Sequence, residues 1–453
     1  MRQIPLAAHV LEGTRRYVYR ITPQRALILS FVALSLIGTL LLKLPIASHQ
    51  PTSWGQALFT AVSASTVTGL VVVDTGTHFT LFGQWVLLVL MQAGGLGLMT
   101  FGLLVIQLLN GRLGLADRAV LGEVVGQSGH ADIRRLLLLM FGFTAFMELL
   151  GTALLALQWI PEMGFTRGLY YSFFHAISAF NNAGFGLAAD SLSKYVGNPL
   201  VNTVISTLFI TGGIGFIVIT DMVGKKRFHQ YALHTKLMLI GTLVINLMAM
   251  LIVFCLEYGN PQTIGLLPDL SDKLWAAWFQ GVVTRTAGFN TVDIGALTPA
   301  TAFFMMGLMF IGAGSGSTAS GIKLSTFIVL LLATQAFLFK HVKPVVLGRS
   351  IGSDIVFRAL AITVIGMFCV ITGTFVLAIT ESAAFLDLAF EAVSAFGTVG
   401  MSRGITASLS GPGQVVIIAL MLIGRVGPLT LAFTLATARP ARIQYPDGRV
   451  SVG

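Results

Sequence analysis

Trp54-Gly-Gln-Ala-Leu-Phe-Thr-Ala-Val-Ser-Ala-Ser-Thr66-Val67-Thr68-Gly69-Leu70 decides the fold, because the 453-residue chain carries three more versions of it. They are Leu169-Tyr-Tyr-Ser-Phe-Phe-His-Ala-Ile-Ser-Ala-Phe-Asn181-Asn182-Ala183-Gly184-Phe185, Leu274-Trp-Ala-Ala-Trp-Phe-Gln-Gly-Val-Val-Thr-Arg285-Thr286-Ala287-Gly288-Phe289 and Leu386-Asp-Leu-Ala-Phe-Glu-Ala-Val-Ser-Ala-Phe-Gly397-Thr398-Val399-Gly400-Met401. Each joins an aromatic-rich helical turn, a Val/Ile-Ser-Ala-like step, and a small residue followed by Gly and a large apolar residue. The third keeps only part of the middle step. The four glycines fall roughly 110 residues apart, too long for a solenoid unit and suited to a repeat of several elements.

Each segment offers roughly 10–13 residues of helix before its Gly, whereas a bilayer needs about 20. Long apolar runs precede the four segments (27–45, 136–160, 237–256, 355–379), and others follow them (79–108, 200–220, 301–339, 414–435). One repeat is therefore a span, a re-entrant half-helix, a non-helical strand and a second span. The expected fold is an all-α polytopic membrane protein of four such pseudo-repeats around a central pore, with eight full spans. Its boundaries are drawn at 1–25 (N-terminus), 26–110, 111–224, 225–340 and 341–438 (the repeats), and 439–453 (the tail).

Composition agrees. The chain is 55% hydrophobic and only 10% charged, with a mean hydropathy of +0.85, so the bilayer is its solvent. Runs such as 136–157 are apolar on nearly all faces, unlike the period-two strands of a barrel. The net charge of +10 does not point to nucleic acid. Lys and Arg gather in alternate connections, at 2–25, 112–135, 225–236, 340–358 and 439–449. This positive-inside pattern places both termini in the cytoplasm and the half-helices on the outer side. No cleavable signal pattern precedes the first span. Cys255 and Cys369 lie inside apolar runs without ligand spacing and read as small hydrophobes.

Non-helical backbone at membrane depth is tolerated where it lines a watery cavity. Four Gly-containing strands around one axis meet that condition, and rings of carbonyl oxygens can replace the hydration shell of K⁺. Gly permits the backbone turns and the close approach to an ion. A half-helix aimed inward by its C-terminus adds roughly half a negative charge. The candidate donors are the backbone carbonyls of Thr66, Val67, Thr68, Gly69; Asn181, Asn182, Ala183, Gly184; Arg285, Thr286, Ala287, Gly288; and Gly397, Thr398, Val399, Gly400. Close helix packing is the other use of such glycines, and four at corresponding positions argue against it. Asn181 and Asn182 could offer side-chain oxygens, though backbone donation suits the architecture. Arg285 is expected to brace its loop through backbone or a carboxylate. Asp74 and Asp293 follow their filters, where they would either concentrate cations or sit as solvated loop charges.

On these residues the chain resembles the Trk/Ktr/HKT superfamily of potassium transporters, in its KtrB-like branch of membrane subunits. Thr-Val-Thr-Gly-Leu, Asn-Asn-Ala-Gly-Phe, Arg-Thr-Ala-Gly-Phe and Thr-Val-Gly-Met look like that family's four filter loops. The resemblance covers nearly the whole chain. Gly at all four filter positions implies K⁺ selectivity, since Ser at the first accompanies Na⁺ entry in the family.

The second spans carry matching small-residue steps: Gly94-Gly95-Leu96-Gly97, Gly212-Gly213-Ile214-Gly215, Gly312-Ala313-Gly314 and Gly424-Arg425-Val426-Gly427. These leave room for a conduit or let helices pack. Arg425 is a charge inside an apolar helix, a functional site by default. It would repel cations or clasp a gate, or else form an ion pair with Glu148 or Glu391. The resemblance implies the family's barrier arginine. In the third repeat Gly312-Ala313-Gly314-Ser315-Gly316-Ser317-Thr318-Ala319-Ser320-Gly321 interrupts the span with residues that disfavour helix. It lacks phosphate-loop spacing, and beneath a filter it reads as a gate, as the resemblance also implies.

No clustered nucleophile, carboxylate pair or metal-ligand set suggests an enzyme, and the eight histidines show no paired-ligand spacing. A rocking secondary transporter with a midplane site is the nearer alternative, but it calls for an inverted pair of repeats rather than four in one direction. The chain shows no soluble regulatory domain and is expected to need no cofactor of its own. The resemblance implies a homodimer with one pore per protomer, a tail contact after Arg442, and a cytoplasmic KtrA-like ring that binds ATP or ADP. It also implies a bacterial plasma membrane and a dependence on Na⁺, by symport or activation.

Overall fold

The structure is a computed structural model that describes residues 23–108, 133–225 and 227–427. In the first repeat a long helix α1 (Pro23–Leu42) leads to the half-helix α2 (Trp54–Ser65), a short α3 (Thr75–His78) and α4 (Leu81–Leu108). The second runs α5 (Ile133–Met163), half-helix α6 (Phe165–Phe180), α7 (Pro199–Ile214) and α8 (Phe216–Gly224). The third has α9 (Leu233–Glu257), half-helix α10 (Leu270–Val283), α11 (Pro299–Phe310) and α12 (Leu324–Leu338). A two-stranded hairpin, β1 (Val345–Val346) with β2 (Arg349–Ser350), precedes the fourth: α13 (Ser353–Thr380), half-helix α14 (Phe385–Gly397) and α15 (Gly411–Val426). The chain is an all-α polytopic membrane protein.

Among the described residues, four helices are long and apolar enough to cross a bilayer alone, and they are the first of each repeat, over Arg25–Leu42, Leu137–Met163, Leu233–Glu257 and Ser353–Thr380. Their outer faces leave Leu36, Leu149, Leu243 and Phe368 exposed, large apolar side chains that call for lipid. The half-helices are buried almost all round. In α14 every residue from Leu388 to Gly397 is buried. The start of α2 is fixed by a capping box between Ser53 and Gln56.

Packing closes the repeats into a ring. Within each, the first helix lies against its own half-helix, as α5 does on α6 and α9 on α10. Each second helix then packs on the half-helix of the next repeat: α4 on α6, α7 on α10, α11 on α14, and α15 back on α2. The half-helices are thereby enclosed by their neighbours in a cyclic order.

The second helices are not alike, and here the continuous span expected over 200–220 is corrected. It breaks at Gly215, whose φ of +102° no other residue adopts without strain, and α7 and α8 meet at 92°. In the third repeat the interruption expected at 312–321 separates α11 from α12. The basic stretches at 2–22, 112–132 and 439–449, and the tail after Arg442 assigned to a dimer contact, lie outside the described residues.

Candidate functional site

The four Gly strands meet. A Cβ on Gly69 would sit 2.5 Å from the Ala183 oxygen, and one on Gly184 would sit 2.8 Å from the Gly288 Cα. A Cβ on Gly288 would lie 2.7 Å from the Val399 oxygen, and one on Gly400 3.0 Å from the Gly69 Cα. Each strand therefore abuts the next, and the fourth returns to the first. The four φ values are +90°, +69°, +74° and +90°, so the glycines are required by conformation as well as by space.

Two residues before each Gly stands a second left-handed residue: Val67 (φ 49°), Asn182 (57°), Thr286 (72°) and Thr398 (48°). Three of these are β-branched, for which such a φ costs about 1–2 kcal/mol. The cost is offset by helix capping. Thr68 N–H donates to Ser63 O at 2.8 Å and Val67 N–H to Ala64 O at 3.1 Å, the paired bonds of a Schellman end. Ala183 and Asn182, and Val399 and Thr398, repeat the pair at the ends of α6 and α14. The third copy is one residue shorter from its Phe to its Gly and instead bonds Ala287 N–H to Val283 O at 3.1 Å.

Side chains of the strands turn to their surroundings. Thr66 Oγ1 donates to Val62 O at 2.7 Å, and Ser63 Oγ accepts from Gly69 N–H at 3.1 Å. Asn182 Nδ2 donates to Thr286 Oγ1 at 3.3 Å, tying the second strand to the third. Asn181 Nδ2 donates to Gln92 Oε1 at 2.7 Å and Glu148 Oε1 at 3.1 Å. Arg285 is buried, and its Nη1 donates to Asn246 Oδ1 on α9 at 2.8 Å. Its brace is thus a side-chain amide, not the backbone or carboxylate expected. Each half-helix directs its C-terminal end at this junction, where a macrodipole favours a cation.

The loop at 312–321 lies against the second strand. Thr318 Oγ1 donates to Asn182 Oδ1 at 2.9 Å, Gly314 N–H to Gly213 O at 2.7 Å, and Phe216 N–H to Gly316 O at 3.0 Å. The break at Gly215 is what presents these α7 and α8 backbone groups. Gly312 N–H bonds Ile322 O at 2.8 Å, so the loop's two ends close on each other. Ser317, Thr318, Ala319 and Ser320 are buried.

Arg425 sits at the end of α15, 1% exposed. Its guanidinium donates to the carbonyls of Thr318 and Gly94, to Gly95 O at 3.3 Å and to Ser320 Oγ at 3.1 Å. The Phe31 ring lies 5.8 Å away. Neither Glu148 nor Glu391 pairs with it; the latter accepts from Thr406. The arginine fastens the loop of the third repeat to α4 of the first. Lys323 donates from Nζ to Ala319 O at 2.7 Å and holds the same loop from its C-terminal side.

Other expectations resolve locally. Gly94 and Gly424 abut the last carbonyls of α2 and α14, where a Cβ would meet Ser65 and Phe396 backbone, so both serve packing. Among the described residues, no atom outside its own stretch of helix lies within 4 Å of a Cβ built on Gly97. Asp74 caps α3 through Thr77 N–H at 2.7 Å, and Asp293 accepts from Gly295 N–H at 2.9 Å. Gln92 carried no signal beyond being one polar residue in an apolar helix, and only its contacts reveal it.

The family described as Cation transport protein (TrkH) matches residues 18–443. The Ktr system potassium uptake protein B of Bacillus subtilis is 50% identical over 434 residues, 96% of this chain and 97% of that one. Its namesake in Vibrio alginolyticus is 44% identical, covering 95% and 94%. The potassium/sodium uptake protein NtpJ of Enterococcus hirae is 34% identical, covering 97% and 99%. Among solved structures, the potassium transporter TrkH of Vibrio parahaemolyticus shares the fold, with a TM-score of 0.75 at 17% identity over 95% of this chain and 88% of that one.

Proposed function

The chain belongs to the TrkH family of cation transport proteins, and from that premise we propose that it takes up K⁺ through the ring of four Gly strands. The observation that carries this reading is the closure of the ring, in which Gly69, Gly184, Gly288 and Gly400 stand in cyclic contact at the ends of four half-helices. Alternating signs of φ let successive carbonyls turn to one side, as a dehydrated cation requires. The relatives named for potassium uptake support K⁺ as the cargo. Strands meeting on one axis favour an axial path over rocking between halves.

The gate is the segment at 312–321 with Arg425. When the loop bonds Asn182 and the guanidinium bonds the loop, buried side chains stand directly behind the second strand. Opening then means breaking those bonds. A partner supplies the signal: two relatives are named as part B of a Ktr system, which fits a cytoplasmic ring of nucleotide-binding subunits. The membrane is a bacterial plasma membrane, the working unit is a homodimer with a pore in each chain, and Na⁺ acts as an activating or co-transported ion.

The test is Rb⁺ uptake into proteoliposomes with K⁺ or Na⁺ as competitor, for wild type and Gly69→Ser. Competition by K⁺ alone, relaxed in the variant, is the expected outcome. Flux indifferent to the substitution returns the glycines to helix packing.

A further inference from the structure

Glu148 lies within α5, in a span of mean hydropathy 1.8, and is 8% exposed. An acid at that depth is expensive unless its oxygens are satisfied. Both accept from neutral amides: Oε1 from Asn181 Nδ2 at 3.1 Å and Oε2 from Gln92 Nε2 at 3.3 Å. The triangle closes through Asn181 Nδ2 to Gln92 Oε1 at 2.7 Å. Its corners come from α4 of the first repeat, α5 of the second, and the first residue of the second Gly strand. Gly95, less than a turn beyond Gln92, completes the fit, because a Cβ there would meet the Asn181 Cβ at 3.0 Å.

The corresponding residues of the other strands are held differently. Thr66 bonds its own half-helix, Arg285 reaches the amide of Asn246, and Gly397 has no side chain. We propose that Glu148, together with Gln92, is a positioning residue of the second strand. It fixes the Asn181 side chain, and through it the turn from which Ala183 and Gly184 enter the ring, and so helps set the preference for K⁺ over Na⁺. The inference rests on the filter reading above.

The donor count says why an acid stands at 148. Asn181 Nδ2 donates to both other corners and Gln92 Nε2 donates to the third, so residue 148 faces a donor at each of its two end atoms, and only a carboxylate accepts at both. Glu148→Gln sets an NH₂ against the Gln92 NH₂, and turning Gln92 sets it against Asn181. Moving the acid to the next corner, as Gln92→Glu with Glu148→Gln, restores every donor to an acceptor and keeps the charge.

The experiment is Rb⁺ uptake into proteoliposomes with K⁺ and Na⁺ as competitors, for wild type, Glu148→Gln, the swapped pair and Gly184→Ser. Glu148→Gln is expected to lower the ratio of Na⁺ to K⁺ half-inhibition concentrations by roughly 5- to 100-fold, the range for a disrupted buried hydrogen-bond set. The swapped pair is expected to return the ratio towards wild type, which a merely destabilising change would not do. If Glu148→Gln cannot be purified, recovery of folding and ratio in the swapped pair supports the proposal, and failure there overturns it. A wild-type ratio in Glu148→Gln beside a relaxed one in Gly184→Ser sinks this inference alone. An unchanged ratio in Gly184→Ser sinks the filter reading itself.

Discussion

Arg425 separates two modes of action by the geometry of its bonds. It reaches acceptors on two elements at once, Thr318 and Ser320 on the loop and Gly94 and Gly95 on α4. Two nitrogens of a planar fork, Nη1 towards the loop and Nη2 towards α4, span these acceptors, whereas an ammonium has a single nitrogen to share between them. If clasping the loop is its role, Arg425→Lys should behave in Rb⁺ flux like Arg425→Ala. A pure charge barrier would leave the Lys variant like wild type. Thr398 makes a second case. Its φ is 48° and its Oγ1 is buried without a bonding partner among the described residues. Thr398→Gly therefore removes about 1–2 kcal/mol of strain for about 1 kcal/mol of added backbone entropy, and the thermal midpoint in detergent should stay near or above wild type. Gly400→Ala should lower it by several degrees, because its φ is +90° and a Cβ would crowd Gly69. The glycines were readable in the sequence because Gly is the residue that such φ values select. Val67 and Thr398 were not, since nothing in a β-branched residue announces a left-handed turn.

Among the elements, the loop at 312–321 is stable in its place only because α7 stops at Gly215. A Cβ on Gly215 would lie 2.5 Å from Ser315 O, and the residue's φ of +102° excludes a continuous helix. Gly215→Ala should unseat the loop without touching any residue of the four Gly strands. The expected result is raised basal flux with an unchanged K⁺ preference, read in the same uptake assay. Removing residues 315–319 should raise flux as well, by roughly 30- to 150-fold if two or three net hydrogen bonds of about 1 kcal/mol each hold the closed state. Unchanged flux would count against the gate. The loop's composition made it visible beforehand, whereas the bend at Gly215 resembled its sibling glycines in α4 and α15. Local sequence gave no means to tell a glycine that packs, such as Gly94, from one that breaks a helix.

At the scale of the whole molecule, closure is the property that matters. With α15 packed on α2, one chain completes the ring by itself. Co-reconstituting wild type with an inactive Gly184→Arg variant should therefore give Rb⁺ flux proportional to the wild-type fraction. A steeper loss would mean that chains share a pore. The sequence by itself determined the membrane class, the first helix of each repeat, the half-helices and the four Gly strands. These rest on runs of apolar residues and on local conformational preference, which are written into neighbouring positions. Only the tertiary structure decided that Arg425 binds the loop and α4, that Arg285 leans on Asn246, and that Glu148 holds Asn181. Those contacts join residues 33 to more than 300 positions apart, and a buried polar group takes whichever partner the packed helices bring within reach.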